Sequence, residues 1–281
     1  MQKHYENFPV ASFFIPKKIR PAIISIYNFA RTADDLADEG SLPDIVRLNQ
    51  LNHLTQDLDS LRQGKTPRST LMKALGNTIS DYQLSFENFD CLLKAFRQDT
   101  WKKYYATRTE LLQYCQYSAN PIGHILLELF NVDTPQNIIW SDSICTGLQL
   151  VNFWQDIAID YKKSRIYLPQ DKLNQFQVTE SQIKNGDTSG NWWPMLKDQL
   201  EDASFFLQQG YPLIHNLPPR FSLELRFIIA GGLKIIEKIT LTQGDIFHNR
   251  PTIKTVDWFK ITLSIIIGYW NKIDSGRILQ K

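Results

Sequence analysis

Proline is spaced so that three long stretches, 22–42, 68–120 and 136–168, contain none. This spacing rules out more folds than any other property of the chain. Proline lacks an amide hydrogen and its ring clashes with the preceding helical turn, so stretches this long without it are free to be helical. Apolar residues recur within them at three- and four-residue steps, as at Ile19, Ile23, Ile26, Ala30 and Ala33, and the same spacing marks Leu111, Tyr114 and Ser118. Sustained alternation of apolar and polar residues is hard to find, so no sheet is expected and the chain reads as all-α. Residues 170–194 are rich in Asn, Gln, Asp, Gly and Ser around a capping box at Thr179 and Gln182. They read as a surface connection. Apolar periodicity resumes on both sides, which predicts a loop inside one domain spanning 1–281. Asn120-Pro121 predicts a local helix break.

Composition excludes several classes. The chain has 281 residues, 43% of them hydrophobic, and its 31 Lys plus Arg barely exceed its 29 Asp plus Glu. No broad basic field is available for nucleic acid, so none is expected as a partner. Cys91, Cys115 and Cys145 are odd in number and too far apart for a metal-binding pair or a disulfide framework, which fits a reducing cytoplasm. Residues 1–9 lack the apolar region of a secretory signal. The most apolar run, 261–270, is shorter than the ~20 residues that span a membrane. Trp258, Phe259, Ile261 and Tyr269 leave room for a peripheral membrane contact, with a core helix as the alternative.

The chemistry is concentrated in two segments. In the first, Asp34 and Asp38 stand one helical turn apart with Asp35 beside them and Arg31 three residues upstream of Asp34. In the second, Asn152, Asp156 and Asp160 repeat the four-residue step, with Gln149 one turn ahead. Either cluster alone reads as a solvated helix face. Both are embedded among apolar and aromatic residues (Tyr27, Phe29 and Ala30; Phe153, Trp154 and Ile157), where unpaired carboxylates are costly. A hard cation is the natural compensation, and magnesium, which takes oxygen ligands and bridges to phosphate, would join two carboxylate rows to a diphosphate.

Taken together these strings resemble the squalene and phytoene synthase family, head-to-head prenyl transferases of the all-helical isoprenoid synthase fold. The resemblance covers nearly the whole chain. It is carried by Tyr27, Arg31, Asp34, Asp35 and Asp38, then by Asn152, Asp156 and Asp160 followed by Arg165, Tyr167 and Pro169. It implies a single-domain helical bundle around a central apolar cavity, acting on an isoprenoid diphosphate. It also implies that Asp34, Asp38, Asp156 and Asp160 hold magnesium, that Arg31, Tyr27, Arg165 and Tyr167 grip the diphosphate, and that Arg250 is a late phosphate contact. Within the family, the strings Glu6–Ser12, Arg31–Asp35, Ser118–Gly123, Asn152–Asp156 and Gly231–Lys238 are similar to the bacterial hydroxysqualene synthase branch of hopanoid biosynthesis. That branch ionises presqualene diphosphate and captures the rearranged cation with water. The resemblance implies no NADPH, and pathway partners in a presqualene diphosphate synthase and a downstream oxidoreductase.

Departures from the wider family point the same way. Gln155 stands where squalene and phytoene synthases carry arginine, Leu233 where they place a tyrosine, and a lysine pair is missing around 254–257. Holding one diphosphate needs less positive charge than holding two, so these changes suit the second half-reaction alone. Presqualene diphosphate, squalene, phytoene or dehydrosqualene synthesis is the alternative within the fold. A catalytically silent helical partner subunit is the alternative outside enzymology. The break is expected to expose Asn120 or a freed backbone carbonyl that positions the capturing water, against a plain kink. Ser12 is a phosphate contact or a helix cap. His124 reads as a hydrogen-bonded core or rim residue rather than a base, and His4, His53, His215 and His248 show no ligand spacing.

Overall fold

The computed structural model describes residues 15–38, 42–67 and 69–266. Among these, helix is the only regular structure beyond one isolated bridge between Tyr104 and Ile166. The first half forms α1 (Arg20–Asp38), α2 (Asp44–Arg62), α3 (Thr70–Tyr82), α4 (Phe86–Asp99), α5 (Arg108–Ser118) and α6 (Asn120–Leu129). The second forms α7 (Pro135–Lys162), α8 (Gln170–Phe176), α9 (Glu180–Asn185), α10 (Trp192–Gly210), α11 (Pro219–Leu241) and α12 (Thr255–Ile266). No helix among the described residues is long and apolar enough to cross a membrane.

The proline-free stretches are helical, but the longest holds three helices rather than one. Its interruptions come from side chains that cap. Ser69, Ser85 and Thr107 each accept a hydrogen bond from an amide of the following first turn, while Gln83 closes α3 in the left-handed region at φ 53°. The 170–194 segment is more ordered than its composition suggests. It carries α8 and α9, and the Thr179–Gln182 capping box forms in both directions, at 3.0 and 3.3 Å.

Two apolar clusters hold the helices together. One gathers α1–α4 around Phe29, Leu51, Leu58 and Phe89; the other gathers α7, α10 and α11 around Trp154, Trp192, Leu207 and Ile239. The helix α6 is their shared wall: Ile125 and Leu129 face the first cluster and Leu127 the second. At 28 residues α7 is about 42 Å long and runs through the second cluster. Its close packing on α10 depends on Gly210, where a Cβ would lie 2.5 Å from the Trp140 carbonyl oxygen. The expected break falls at Ala119, with Pro121 at the start of α6, where its missing amide hydrogen costs nothing.

Candidate active site

The two aspartate rows lie in the last turns of α1 and α7, and the segment just after α7 joins them. Arg165, 7% exposed, grips Asp38 with both terminal nitrogens, one of them at 2.9 Å, and donates a third bond to the backbone carbonyl of Asp99 at 2.7 Å. Lys163 reaches the same Asp38 carboxylate at 3.2 Å. On α1 itself Arg31 pairs with Asp34 at 3.0 Å and Asp35 at 2.6 Å, as the three- and four-residue spacing requires. On the other side Arg250, carried by the segment between α11 and α12, pairs with Asp156 at 2.5 and 3.2 Å. Residues 31, 34, 38, 156, 160, 163, 165 and 250 thus form one polar pole.

Electrostatics divides the aspartates. The Asp38 carboxyl is held below its ordinary range by the Arg165 and Lys163 charges, which overcome its burial. Asp34 is pushed up to about 6 by burial and by the neighbouring Asp38 charge. Asp160 is pushed up to about 7 by burial and by Asp156. Both would need another positive charge to be comfortably ionised. Among the described residues no three acidic, cysteine or histidine side chains converge as a ready ligand set, because Asp38 and Asp156 are turned onto arginines. The donor chemistry nevertheless fits a hard divalent ion: every available donor is a carboxylate oxygen, and the Asp34 and Asp160 carboxyls are under-compensated.

Asp99 belongs to this pole although neither aspartate motif includes it. It ends α4, accepts a 2.8 Å hydrogen bond from the Tyr114 hydroxyl, and burial pushes its carboxyl up to about 7. An acid at a helix C-terminus opposes the helix dipole, and that misplacement was the signal available in the sequence. Behind it Tyr167 is sandwiched in an aromatic stack, 3.9 Å from Phe153 and 5.7 Å from Tyr105 between ring centres. Tyr167 is therefore a buried support beneath Arg165 rather than an open diphosphate contact.

Two further expectations are corrected. Gln155, 1% exposed, does not face the substrate space; its amide donates to the Pro251 carbonyl at 2.6 Å and so anchors the segment that presents Arg250. Asn120 is not exposed by the helix break. It is 4% exposed and accepts a hydrogen bond from the Thr146 hydroxyl at 3.1 Å, tying α6 to α7. Ser12 lies outside the described residues, and Gln149 is half-buried one turn ahead of Asn152. His124 is the hydrogen-bonded rim residue expected, 2.6 Å from Asp142 and 3.3 Å from Asn88.

Apolar space adjoins the pole on two sides. Asn152 opens onto a cavity of about 120 Å³ lined by Leu148, Val151, Gly231, Gly232, Ile235 and Ile253. Tyr27, one turn before Arg31, lines a second of about 190 Å³ between α1, α6 and α11, with Ile23, Ile26, Ile125, Leu126, Phe130, Phe221, Glu224 and Ile228 in its walls. A charged pole over apolar space suits a molecule with an anionic head and a hydrocarbon body.

Residues 1–257 match the family model described as squalene/phytoene synthase. The chain belongs to the squalene/phytoene synthase family. It is 38% identical over 257 residues to the hydroxysqualene synthase of Rhodopseudomonas palustris, covering 90% of this chain and 85% of that one. It is 30% identical to the hydroxysqualene synthase of Sinorhizobium fredii, over 83% and 78% of the two chains. The crystal structure of squalene synthase HpnC from Alicyclobacillus acidocaldarius superposes with a TM-score of 0.80 at 33% identity, covering 86% of this chain and 90% of that one. A dehydrosqualene synthase structure shares the fold at TM-score 0.78 and 21% identity, covering 92% and 89%. The architecture is thus the all-helical isoprenoid synthase fold, and as members of this family act on prenyl diphosphates, the chain is an enzyme of that kind.

Proposed function

We propose that this chain is a hydroxysqualene synthase, converting presqualene diphosphate and water into hydroxysqualene and diphosphate. The observation that carries the reading is the pairing of Arg165 and Lys163, just after α7, with Asp38 of α1, which brings both aspartate rows to one pole beside apolar space. The relatives that bear this name at 30–38% identity support it.

Arg31, Lys163, Arg165 and Arg250 bring four cations to the pole, which supports its reading as the seat of a diphosphate head. Magnesium held by Asp34, Asp38, Asp156 and Asp160 would supply Lewis-acid stabilisation of the charge developing on the leaving group. As the carbon–oxygen bond breaks, its electron pair leaves with the diphosphate, toward these cations. The cyclopropylcarbinyl cation that remains faces isoleucines, leucines and aromatic rings, which keep bulk water away while the ring opens. Water then captures the allylic cation; no step consumes a reductant. A condensing prenyl transferase must supply the substrate, and an oxidoreductase would consume the alcohol.

The hydrocarbon character of substrate and product favours work at a membrane surface. The apolar face of α12 that meets solvent is Val256, Phe259, Leu263 and Ile266, with Lys254 and Lys260 beside it. Ile261 is instead buried, Trp258 packs near Phe227, and Tyr269 lies outside the described residues. Such a helix suits the plane of an anionic lipid interface. Co-sedimentation with anionic vesicles, lost on Phe259→Asp, checks this contact.

The functional test is incubation with presqualene diphosphate and magnesium, without a nicotinamide cofactor, followed by mass spectrometry of the lipid. Hydroxysqualene is expected. No turnover there, with condensation of farnesyl diphosphate instead, would move the chain to the synthases of the first half-reaction.

A further inference from the structure

The cavity between α1, α6 and α11 is walled by aliphatic and aromatic side chains, and among its described lining residues it contains one carboxylate, Glu224. Glu224 is 8% exposed and sits in the first half of α11 between Phe221 and Ile228, which line the same space. A glutamate this deeply buried is normally paired, and one that also lines an apolar cavity beside a charged pole is a candidate functional group. Tyr27 lines the cavity too, and Arg31 stands one turn beyond it, so the space holding Glu224 adjoins the pole from which diphosphate departs.

The reaction also has a proton to dispose of. When a water oxygen bonds to the allylic carbon, the first product is a protonated alcohol, which must lose a proton inside a space built to exclude water. The expected candidate for holding that water, Asn120, lines neither cavity and is engaged with Thr146. We propose that Glu224 is a catalytic residue that orients the capturing water and accepts its proton. The water lone pair forms the new carbon–oxygen bond, one oxygen–hydrogen bond breaks with its electrons staying on oxygen, and the proton passes to the Glu224 carboxylate and later to solvent. Nothing is oxidised or reduced. A negative charge at this wall also draws the allylic cation toward the side from which water attacks.

The inference rests on the hydroxysqualene synthase reading, and its test separates the two. Wild type, Glu224→Gln and Glu224→Asp are incubated with presqualene diphosphate and magnesium in ¹⁸O-water, and both diphosphate release and the alcohol share of the lipid are measured. In Glu224→Gln, alcohol formation is expected to fall about a hundredfold or more, as for loss of a general base. Diphosphate release should stay within about tenfold of wild type, because ionisation precedes the lost step. Hydrocarbons formed by proton loss from the cation take the alcohol's place, and Glu224→Asp keeps labelled alcohol as its main product. Should Glu224→Gln not fold, Glu224→Met, which fills similar volume without charge, takes its place. An unchanged alcohol share, or a parallel fall in alcohol and diphosphate release, overturns the assignment of Glu224. If wild type itself makes no labelled alcohol, the functional reading fails and this inference with it.

Discussion

The aspartate rows on α1 and α7 look alike in sequence yet are held differently. In each, one carboxylate is gripped by an arginine from a distant segment, Asp38 by Arg165 and Asp156 by Arg250, while the other, Asp34 or Asp160, is left with a raised pKa. The Asp38 pair is the drier one: the two side chains are 14% and 8% exposed, against 27% and 29% for Asp156 and Arg250. The α1 row also has an arginine of its own helix, Arg31, whereas the α7 row depends on a segment anchored through Gln155. A repeated motif therefore builds one drier half and one wetter half of a single pole.

The largest effect should come from removing the under-compensated acids. Asp34→Asn and Asp160→Asn are each expected to lower diphosphate release from presqualene diphosphate by about 10²–10³-fold, the scale for losing a group that stabilises transition-state charge. Their double variant should be little worse than either alone if the rows act as a unit. A single variant with near wild-type release would show that one row suffices.

Next come the two arginine clamps. Arg165→Ala leaves Asp38 buried without its bidentate partner and should lower unfolding free energy by about 3 kcal/mol or more. Arg250→Ala, at a wetter pair, should cost about 1 kcal/mol. Urea unfolding compares them, and equal losses would erase the distinction between the drier and the wetter half.

The pH dependence is smaller and has a definite sign. Raised folded-state pKa values mean that Asp34 and Asp160 retain protons that the unfolded chain has released, so metal-free stability should decline as pH rises from about 4 to about 7. Asp38, shifted downward, acts in the opposite direction and below that window. Magnesium should raise the melting temperature more at pH 8 than at pH 5, since it needs ionised ligands. The smallest effect is expected from Asp99→Asn. Its side chain still accepts the Tyr114 hydrogen bond, so stability at pH 8 should change by no more than about 1 kcal/mol in either direction.

Much of this was legible beforehand because helical spacing converts directly into side-chain position. Arg31 with Asp34, Asp156 with Asp160, and the Thr179–Gln182 box are facts about steps of three and four residues. The all-helical architecture follows from the same periodicity. What escaped was set by contacts between distant segments. No spacing rule brings Arg165 to Asp38 or Gln155 to Pro251, and none places Glu224 across a cavity from Tyr27. Asn120 shows the converse error: a backbone break was legible, but break and exposure are different properties, and Thr146 closes over it.

That the two rows form one ion-and-diphosphate site is tested most directly by the rise in melting temperature on adding magnesium and inorganic diphosphate together. Wild type should be stabilised, and Asp34→Asn and Asp160→Asn should each lose most of that gain. Full stabilisation in either variant would mean that the rows bind independently and would contradict the account.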